Sequence, residues 1–363
     1  MSEEIKRIGI FTSGGDCAGL NAVIKAVVYR AVLHYGWEVY GILDGTEGLA
    51  LRPLRWRKLG IQDFTPFARL GGTMLGTINK GNPFAWKMPD GSEVDLTDSF
   101  REGVKELGLD ALVIVGGDGS MRICGSLCKK AGVRMVGIPK TIDKDTPLTE
   151  HSVGFSTALD ICTEALDTLQ TTAASHHRVM IMEVMGRDAG HLALMSAIAG
   201  GADICIIPEI PYTMEGILKK IRERKNMGAD HILIVVAEGV KTIEGEAVLS
   251  GKGDNVRYGG IAHYLSEKLN EYPDKFSSRY TVLGYVQRGG IPSSWDRIAA
   301  TAFGIHAVDM LAQGETQRMV AWQQGKVTDV SLEDVAKIGT QKVEKNSIMV
   351  QTATGMDMYV GEL

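Results

Sequence analysis

The sequence lacks the features of membrane-spanning, secreted and nucleic-acid-binding proteins. Its longest apolar runs, such as residues 111–115 and 232–237, fall far short of the ~18 residues that cross a bilayer. It has no basic run, and 39 lysines and arginines against 44 aspartates and glutamates give a net charge of −5. That mild acidity argues against binding to nucleic acid or to an anionic membrane. The first residues show no signal-peptide pattern, so we expect a soluble, cytoplasmic protein.

Cysteine is also scarce, whereas glycine is abundant. The five cysteines are Cys17, Cys124, Cys128, Cys162 and Cys205. Their odd number in a large chain predicts reduced thiols, and no second pair stands at zinc-ligand spacing from Cys124 and Cys128, so we expect buried, apolar side chains. The 44 glycines among 363 residues exceed the roughly 7% of average usage. Because they occur in clusters, they indicate loops where the backbone approaches a ligand.

Short apolar segments alternate with amphipathic ones along most of the chain. Residues 8–12 and 280–286 illustrate the predicted strands, and residues 20–35, with apolar side chains three to four positions apart, illustrate the predicted helices. This alternation predicts α/β architecture with parallel sheets. A length of 363 residues predicts two domains at ~150 residues each.

Four polar clusters follow predicted strands. They are TSGGD (12–16), GGDGS (116–120), PKTIDKD (139–145) and MGRDAG (185–190). The carboxyl ends of strands form the ligand crevice of open α/β sheets, so several such loops favour a phosphate-rich ligand. Neither a Walker A pattern nor a dinucleotide fingerprint occurs, which argues against a P-loop enzyme and an NAD dehydrogenase.

The GGDGS loop has the composition of a phosphate-binding loop. Without side chains its backbone N–H groups can reach phosphate oxygens, and the following helix adds partial positive charge. Asp118 would repel a bare phosphate but suits a phosphate-bound Mg²⁺. The alternative is that Asp118 only caps the next helix.

Two carboxylates, Asp143 and Asp145, follow the predicted strand at 133–139. In an extended segment they project to one side while Lys144 points away. One carboxylate can accept a proton from a substrate hydroxyl during phosphoryl transfer, and the other can orient the metal or the first carboxylate. The alternative is a solvated turn.

Eight motifs occur in the order in which the phosphofructokinase family carries them. They are TSGGDCAGLNAVI, GGDGS, PKTIDKD, GFSTAL, SHHR, VMGRDAGHLAL, AEG and LGYVQRGG. Each alone is modest, but eight in order over residues 8–297 are highly specific, so the chain resembles that family. The resemblance implies an α/β fold of two Rossmann-like, three-layer domains with mainly parallel sheets. It assigns residues 1–154 and about 280–318 to a donor (nucleotide) domain, and residues 155–279 and about 319–363 to a sugar-phosphate domain.

The family phosphorylates the 1-hydroxyl of fructose 6-phosphate with Mg²⁺ and a phosphoryl donor, giving fructose 1,6-bisphosphate in glycolysis. The resemblance makes Asp143 the proton acceptor, with Thr141 steadying the transferred group and Asp145 supporting base and metal. Asp118 belongs to the magnesium shell. The implied donor-binding residues are Gly15, Lys80, Gly117, Asp118, Gly119 and Ser120. The implied substrate-binding residues are Thr141, Ile142, Asp143, Arg178, Met185, Gly186, Arg187, Glu238, Arg279, Tyr285, Val286, Gln287 and Arg288.

Quaternary structure and regulation are also implied by the resemblance. The family's counterparts of Arg178 and Arg279 reach a neighbouring subunit's sugar site, so we expect a homotetramer with shared sites. Lys25 fits one basic position of the effector pocket in bacterial relatives, but Tyr29 occupies another, and residues 226–230 lack the expected lysines. These departures argue against regulation by ADP or phosphoenolpyruvate at that site.

Two positions bear on the phosphoryl donor. In the family, pyrophosphate enzymes carry Asp after the GGD aspartate and Lys before TID, whereas many bacterial ATP enzymes carry Gly at both. This chain has Gly119 and Lys140, one from each pattern. An Asp at the first position would fill the space of the α-phosphate and oppose its charge, whereas Lys140 helps either donor, so we predict ATP.

Three alternatives remain open at this stage. A pyrophosphate-dependent phosphofructokinase shares the chemistry, and a non-catalytic nucleotide-sensing paralogue shares the fold. The intact Asp118, Thr141, Asp143 and Asp145 speak against the latter. NAD and lipid kinases share a GGDG loop but lack the TIDxD and YVQRGG motifs. A further departure, Lys144 where much of the family has Asn, leaves its effect on the neighbouring carboxylates open.

Overall fold

The computed structural model describes residues 5–64, 69–88, 90–251, 257–273 and 276–363. The chain divides into two compact units. The first comprises Met1–Thr141, Thr146–Thr157 and Arg288–Thr340, and the second comprises Ile142–Asp145, Ala158–Gln287 and Gln341–Leu363. The expected domain limits differ from this division, chiefly because residues 280–287 belong to the second unit and residues 319–340 to the first.

Strands and helices alternate along most of the chain. The strands are β1 (Arg7–Thr12), β2 (Glu38–Ile42), β3 (Trp56–Leu59), β4 (Trp86–Lys87), β5 (Glu93–Val94), β6 (Ala111–Gly116), β7 (Met135–Thr141), β8 (Val153–Gly154), β9 (Val179–Val184), β10 (Ile204–Ile206), β11 (Ile232–Ala237), β12 (Leu249–Ser250), β13 (Arg257–Tyr258), β14 (Ser278–Val282), β15 (Arg318–Gln323) and β16 (Lys326–Ser331). The helices are α1 (Leu20–Tyr35), α2 (Glu47–Ala50), α3 (Thr97–Glu106), α4 (Asp118–Ala131), α5 (Phe155–His176), α6 (His191–Ala199), α7 (Met214–Asn226), α8 (Ile261–Glu271), α9 (Ser294–Ala312), α10 (Leu332–Ile338) and α11 (Ile348–Gly355). Short 3₁₀ helices occupy Ile61–Phe64 and Gly284–Arg288.

The first unit is built on a mainly parallel sheet. Its strand order is β16-β15-β7-β6-β1-β2-β3, with β8 beside β7. The central neighbours β7, β6, β1 and β2 run parallel, whereas β3 and β16 are antiparallel to their neighbours at the two edges. Every residue of β6 and β7 is buried, as expected for parallel strands covered on both faces. This arrangement places the carboxyl ends of the parallel strands β1, β6 and β7 next to one another.

The second unit contains a smaller parallel sheet. Its order is β10-β11-β9-β14, and each neighbouring pair is parallel. Strands β9 and β11 are fully buried. Val184 at the end of β9 stands opposite Ala237 at the end of β11, so the loops that follow the two strands start from adjacent positions.

Local sequence signals set many of the element boundaries. The buried face of α1 includes Leu20, Val23, Val27 and Ala31. The helix ends at Gly36, whose φ of 70° is a left-handed conformation that costs glycine little. The predicted helix at residues 20–35 is therefore confirmed.

The predicted strand at residues 280–286 is wrong in its second half. The strand ends at Val282, and a 3₁₀ helix from Gly284 to Arg288 follows. Gly284 has a φ of 51°, which turns the chain out of the extended conformation. As a result Tyr285 and Val286 lie in an exposed turn, with 64% and 60% of their surface accessible.

The cysteines are free and buried, as predicted. Cys124 and Cys128 lie in the core of the first unit with Met121 and Leu127 of the same helix. Burial raises the pKa of the Cys124 thiol to about 12. The structure therefore supports the interpretation of these residues as apolar packing groups.

Candidate active site

The TSGGD loop of the first unit follows β1 and is held by backbone hydrogen bonds on both sides. Ser13 N donates to Val115 O of β6 at 2.9 Å, and Gly14 N donates to Ile78 O at 2.8 Å. Gly14 has a φ of 83°, a conformation that side chains rarely adopt. Because Lys80 lies two residues beyond Ile78, these bonds bring the implied donor residue to the same region as Gly15.

The GGDGS loop lies at the end of β6 and leads into α4. A Cβ on Gly116 would lie 2.5 Å from Ser120 Cβ, so only glycine fits there. Gly117 is the N-cap of α4 and Asp118 its first residue. The Asp118 carboxylate accepts a hydrogen bond from Thr340 Oγ1 at 3.1 Å. The alternative that Asp118 serves as the helix cap is therefore wrong, because Gly117 occupies that position.

Space is open at Gly119. No heavy atom lies within 4 Å of the position that a Cβ would take, and the φ of this residue lies outside the left-handed range. A larger residue would therefore fit this backbone without a clash. The prediction that ATP is the donor requires such open space at Gly119 for the α-phosphate.

Lys140 is a buried cation at the end of β7. Its side chain is only 4% exposed, and its Nζ donates a hydrogen bond to Gly15 O. A Cβ on Gly14 would lie 3.4 Å from the same Nζ. The ammonium group therefore lies against the TSGGD loop, so two of the motifs meet through a charged side chain.

Arg288 also contacts the TSGGD loop. Its Nη1 donates to Asp16 O at 3.1 Å, and a Cβ on Gly15 would lie 2.7 Å from the same nitrogen. Gly15 is thus required for the close approach of this guanidinium. Sequence reasoning assigned Arg288 to the sugar phosphate and did not anticipate this neighbour.

The TIDKD segment is buried where β7 ends. Thr141 is 7% exposed, and Ile142, Asp143 and Asp145 are 1%, 5% and 6% exposed. The alternative of a solvated turn is therefore wrong for these carboxylates. The predicted extended geometry is also wrong, because Lys144 has a φ of 55° and breaks the alternation between Asp143 and Asp145.

Lys144 acts on a neighbouring histidine in the second unit. Burial, with a smaller contribution from the positive charge of Lys144, lowers the pKa of His191 to about 4. His191 Nε2 lies 3.3 Å from Gln341 O, and Gln341 N donates to Asp145 O at 2.7 Å. The C-terminal segment at Gln341 therefore contacts the backbone of the TIDKD segment.

The loops after β9 and β11 of the second unit meet. Arg187 N donates to Glu238 Oε1 at 3.1 Å, and Glu238 N donates to Val184 O at 2.9 Å. A Cβ on Gly239 would lie 1.8 Å from Arg187 O, which leaves room only for glycine. The predicted sugar-binding residues Met185, Gly186, Arg187 and Glu238 are thereby brought together.

Gln287 connects the turn at 284–288 to this loop pair. It is 1% exposed, and its Oε1 accepts from Met185 N at 3.1 Å and from Cys162 Sγ at 3.3 Å. Its Nε2 donates to Gly284 O at 2.9 Å. Both the oxygen and the nitrogen of the amide make hydrogen bonds, so Gln287 holds Met185, whereas Tyr285 and Val286 beside it are exposed.

Arg178 and Arg279 lie at the other end of the second sheet. Arg178 directly precedes β9, and Arg279 stands opposite Met180 in register. Strand β9 continues to Val184 before the Met185–Arg187 loop begins, which at ~3.3 Å per residue is roughly 15–20 Å. The two arginines therefore belong to a different surface of the unit from Arg187 and Glu238.

A separate cavity of about 570 Å³ lies on the first unit between α1 and α9. Its lining includes Lys25, Tyr29, Arg69 and Arg297. Lys25 Nζ stands 5.1 Å from the centroid of the Tyr29 ring. Lys25 and Tyr29, which occupy two positions of the effector pocket in bacterial relatives, thus line the same cavity.

The comparisons with known proteins decide the family. The sequence matches the family model described as Phosphofructokinase over residues 7–311. The chain belongs to the phosphofructokinase family. The family predicted from the eight motifs is confirmed, and so is the mainly parallel α/β fold.

Relatives of this phosphofructokinase-family chain match it along nearly its whole length. It is 49% identical over 360 residues to the ATP-dependent 6-phosphofructokinase 1 of Synechocystis sp., covering 99% of both chains. It is 50% identical over 358 residues to the ATP-dependent 6-phosphofructokinase 1 of Nostoc sp., covering 98% of this chain and 99% of the relative. Its fold is similar to phosphofructokinase from Saccharomyces cerevisiae, with a TM-score of 0.76 and 29% identity over 97% of this chain and 47% of that one.

The described residues contain neither a membrane-spanning helix nor a cluster of metal-binding side chains. No helix in the described ranges is long and apolar enough to cross a membrane. No group of three or more His, Cys, Asp or Glu side chains among those residues is arranged to hold a metal ion by itself.

Proposed function

We propose that this protein is an ATP-dependent 6-phosphofructokinase that transfers the γ-phosphoryl group of MgATP to the 1-hydroxyl of fructose 6-phosphate. The observation that carries the proposal is the near-complete alignment, at about half identity, with relatives that bear this name. The buried TIDKD carboxylates and the glycine-rich loops supply the local chemistry. The product is fructose 1,6-bisphosphate, and we place the reaction in cytoplasmic glycolysis.

The first unit is proposed to bind the donor. Backbone N–H groups of Gly15 and of residues 117–120 at the start of α4 suit phosphate oxygens. Lys140 and Lys80 add positive charge, which offsets the charge that builds up on the transferred group. The open space at Gly119 leaves room for the α-phosphate of ATP, which favours ATP over pyrophosphate.

Mg²⁺ is proposed to bind with the donor at Asp118. Mg²⁺ prefers oxygen ligands and usually combines one or two carboxylates with substrate phosphates and water. A single carboxylate at the start of a phosphate-binding helix, without a larger cluster of acidic side chains among the described residues, fits that pattern. When bound, the ion would neutralise charge on the β- and γ-phosphates.

Asp143 is proposed as the general base. Its carboxylate would take the proton of the 1-hydroxyl as that oxygen bonds to the γ-phosphorus and the bond to ADP breaks. Thr141 would hold the transferred phosphoryl group, and Asp145 would fix the base and metal geometry. Burial of all three supports the assignment, because it removes competing water.

The second unit is proposed to bind the sugar phosphate. Arg187 and Glu238, joined by a hydrogen bond, suit the sugar hydroxyls, with Met185 and Gly186 lining the pocket. Ile142, Tyr285, Val286 and Arg288 complete the set that we assign to fructose 6-phosphate, with Gln287 holding Met185 in place. Arg288 itself belongs to the first unit, where it contacts the TSGGD loop, and its assignment to the 6-phosphate is part of the proposal.

Arg178 and Arg279 are proposed to serve the sugar site of a neighbouring subunit. Their place at the amino end of β9 and β14 supports this, since one β9 strand separates them from Arg187. Such sharing makes the active enzyme an oligomer, for which we propose a homotetramer.

A coupled assay tests the proposed function. Purified enzyme is given fructose 6-phosphate with MgATP or with pyrophosphate and Mg²⁺, and fructose 1,6-bisphosphate is measured with aldolase. We expect turnover with MgATP and little with pyrophosphate, and we expect glucose 6-phosphate to be a poor acceptor. Product formed equally well from pyrophosphate would favour the pyrophosphate-dependent alternative. No product with either donor would favour the non-catalytic one.

A further inference from the structure

The C-terminal part of the first unit supplies a contact to the proposed metal carboxylate. Helix α10 packs against α4 through Leu332 and Val335, which join Met121 and Cys124 in one hydrophobic cluster. A Cβ on Gly125 of α4 would lie 3.4 Å from Leu332 Cδ1, so the first turn of α10 lies beside the middle of α4.

The two helices run in opposite directions, which brings the end of α10 to the start of α4. Helix α10 ends at Ile338, and Gly339 follows with φ 70° and ψ −150°, a conformation open to glycine and costly for other residues. Thr340 comes next, and its Oγ1 donates to Asp118 Oδ2 at 3.1 Å. A packed helix and a glycine turn thus deliver one hydroxyl to one carboxylate, 222 residues away in sequence.

We propose that Thr340 is a positioning residue that orients the Asp118 carboxylate for a divalent cation bound with the donor. A hydroxyl on Oδ2 fixes the rotation of the carboxylate and leaves Oδ1 and the remaining lone pairs for a cation or its water. Groups that hold a metal-binding carboxylate typically change metal affinity 10- to 100-fold when removed. The inference rests on the proposed role of Asp118.

The chemistry of the contact sets the choice of variants. Thr340 is exposed, so replacing it removes little packing. Thr340→Val keeps the shape of the side chain and removes the donor, whereas Thr340→Ser keeps the donor and removes a methyl group. Thr168→Val is the matched control, because the exposed Thr168 hydroxyl donates to Glu164 O within its own helix.

The experiment measures Mn²⁺ binding by electron paramagnetic resonance of the full-length enzyme with a non-hydrolysable ATP analogue. We expect Thr340→Val to raise the Mn²⁺ dissociation constant roughly tenfold, and Thr340→Ser and Thr168→Val to stay within about twofold of wild type. The KM for MgATP should rise in Thr340→Val while the KM for fructose 6-phosphate stays unchanged. Thermal melts of the variants serve as the check on folding, with Thr340→Ala as a second donor-free variant.

The Asp118→Asn variant separates failure of this inference from failure of the proposed metal site. If Asp118→Asn weakens Mn²⁺ binding but Thr340→Val and Thr340→Ala bind normally, the positioning role is wrong and the metal assignment stands. Equal weakening by Val and Ser would also overturn the role, because the hydroxyl would then not matter. Normal Mn²⁺ binding by Asp118→Asn would overturn the metal assignment itself and this inference with it.

Discussion

At the scale of single residues, the sharpest expectation concerns Asp143. Changing Asp143 to Asn keeps the shape of this buried side chain and removes its ability to accept a proton. We expect kcat to fall by about two to four orders of magnitude, the usual range for a general base. The affinity for fructose 6-phosphate, measured by calorimetry, should change much less, because we propose that arginine and glutamate side chains make most of the contacts with that substrate. Turnover close to wild type would show that another group accepts the proton.

Gly119 is the residue at which donor choice can be tested directly. An Asp there meets no atom within 4 Å of its Cβ, so Gly119→Asp should fold. Its charge beside a phosphate costs about 1–4 kcal/mol at roughly 4 Å. We therefore expect the KM for ATP to rise by roughly five- to several-hundred-fold.

Gly119→Asn is the matched control for that change. It has nearly the same volume without the charge, so a KM for ATP between those of wild type and Gly119→Asp would divide the effect between space and charge. Steady-state kinetics with varied MgATP measures it. If Gly119→Asp has the same KM and kcat for ATP as the wild-type enzyme, the proposal that the α-phosphate lies beside Gly119 is wrong.

At the scale of elements, Asp296 at the start of α9 joins three segments of the first unit. This fully buried carboxylate accepts from Gly154 N at 2.9 Å and from Thr157 N at 2.8 Å, and it also accepts from Thr157 Oγ1. Asp296→Ala removes the acceptor for these buried donors. Each donor that finds no other partner lowers the stability of the folded protein by about 1–3 kcal/mol. We expect the free energy of unfolding to fall by about 2–4 kcal/mol, measured by denaturant titration. Asp296→Asn keeps one acceptor oxygen and should lose less; equal stability of Ala and wild type would contradict this role.

Much of the element pattern followed from the sequence because local and tertiary preferences agree there. Helix α1 matches its predicted limits, since apolar periodicity and the glycines on either side of it mark both ends. The strand predicted to extend to Val286 ends at Val282. The apolar sequence continues past Gly284, but the positive φ of this glycine ends the extended conformation and cannot be deduced from composition. The predicted orientation of Lys144 was wrong for a similar reason: alternation of side chains assumes an extended chain, and the φ of 55° at Lys144 breaks it.

The candidate site also contains residues that the local sequence marks and residues that only contacts remote in sequence bring there. The loops at 12–16, 116–120, 139–145 and 185–190 could be located from the sequence because each lies at the end of a strand with a mostly buried, apolar sequence. Thr340 and Gln341 were not predicted, because their partners Asp118 and Asp145 are remote in sequence and neither residue lies in one of the eight motifs. Arg288 was assigned to the sugar phosphate alone, since the sequence did not indicate its contact with Gly15 and Asp16.

At the scale of the whole molecule, sharing of sites between subunits is the expectation with the widest consequences. Asp143→Asn removes a group that each subunit uses in its own site, whereas Arg279→Ala removes one that we propose each subunit lends to a neighbour. In a pair of two-fold related subunits, a hybrid then holds one intact site and one site that lacks both groups. Neither parent enzyme has any intact site. Complementation is therefore predicted for this pair of variants.

The two inactive variants, mixed in equal amounts under conditions of subunit exchange, should regain about a quarter of wild-type activity, because about half of the pairs are hybrids with one working site of two. Mixing Arg178→Ala with Arg279→Ala is the control. Both arginines start from the amino end of the second sheet, and one subunit would lend both to the same neighbour, so no hybrid site is complete. Activity is measured by the aldolase-coupled assay, and exchange is verified by native mass spectrometry.

If verified hybrids of Asp143→Asn and Arg279→Ala remain as inactive as their parents, the arginines act within their own subunit and the shared-site proposal is wrong. Rescue in that mixture but not in the control would require the oligomer for catalysis, because each site would then need residues from two chains.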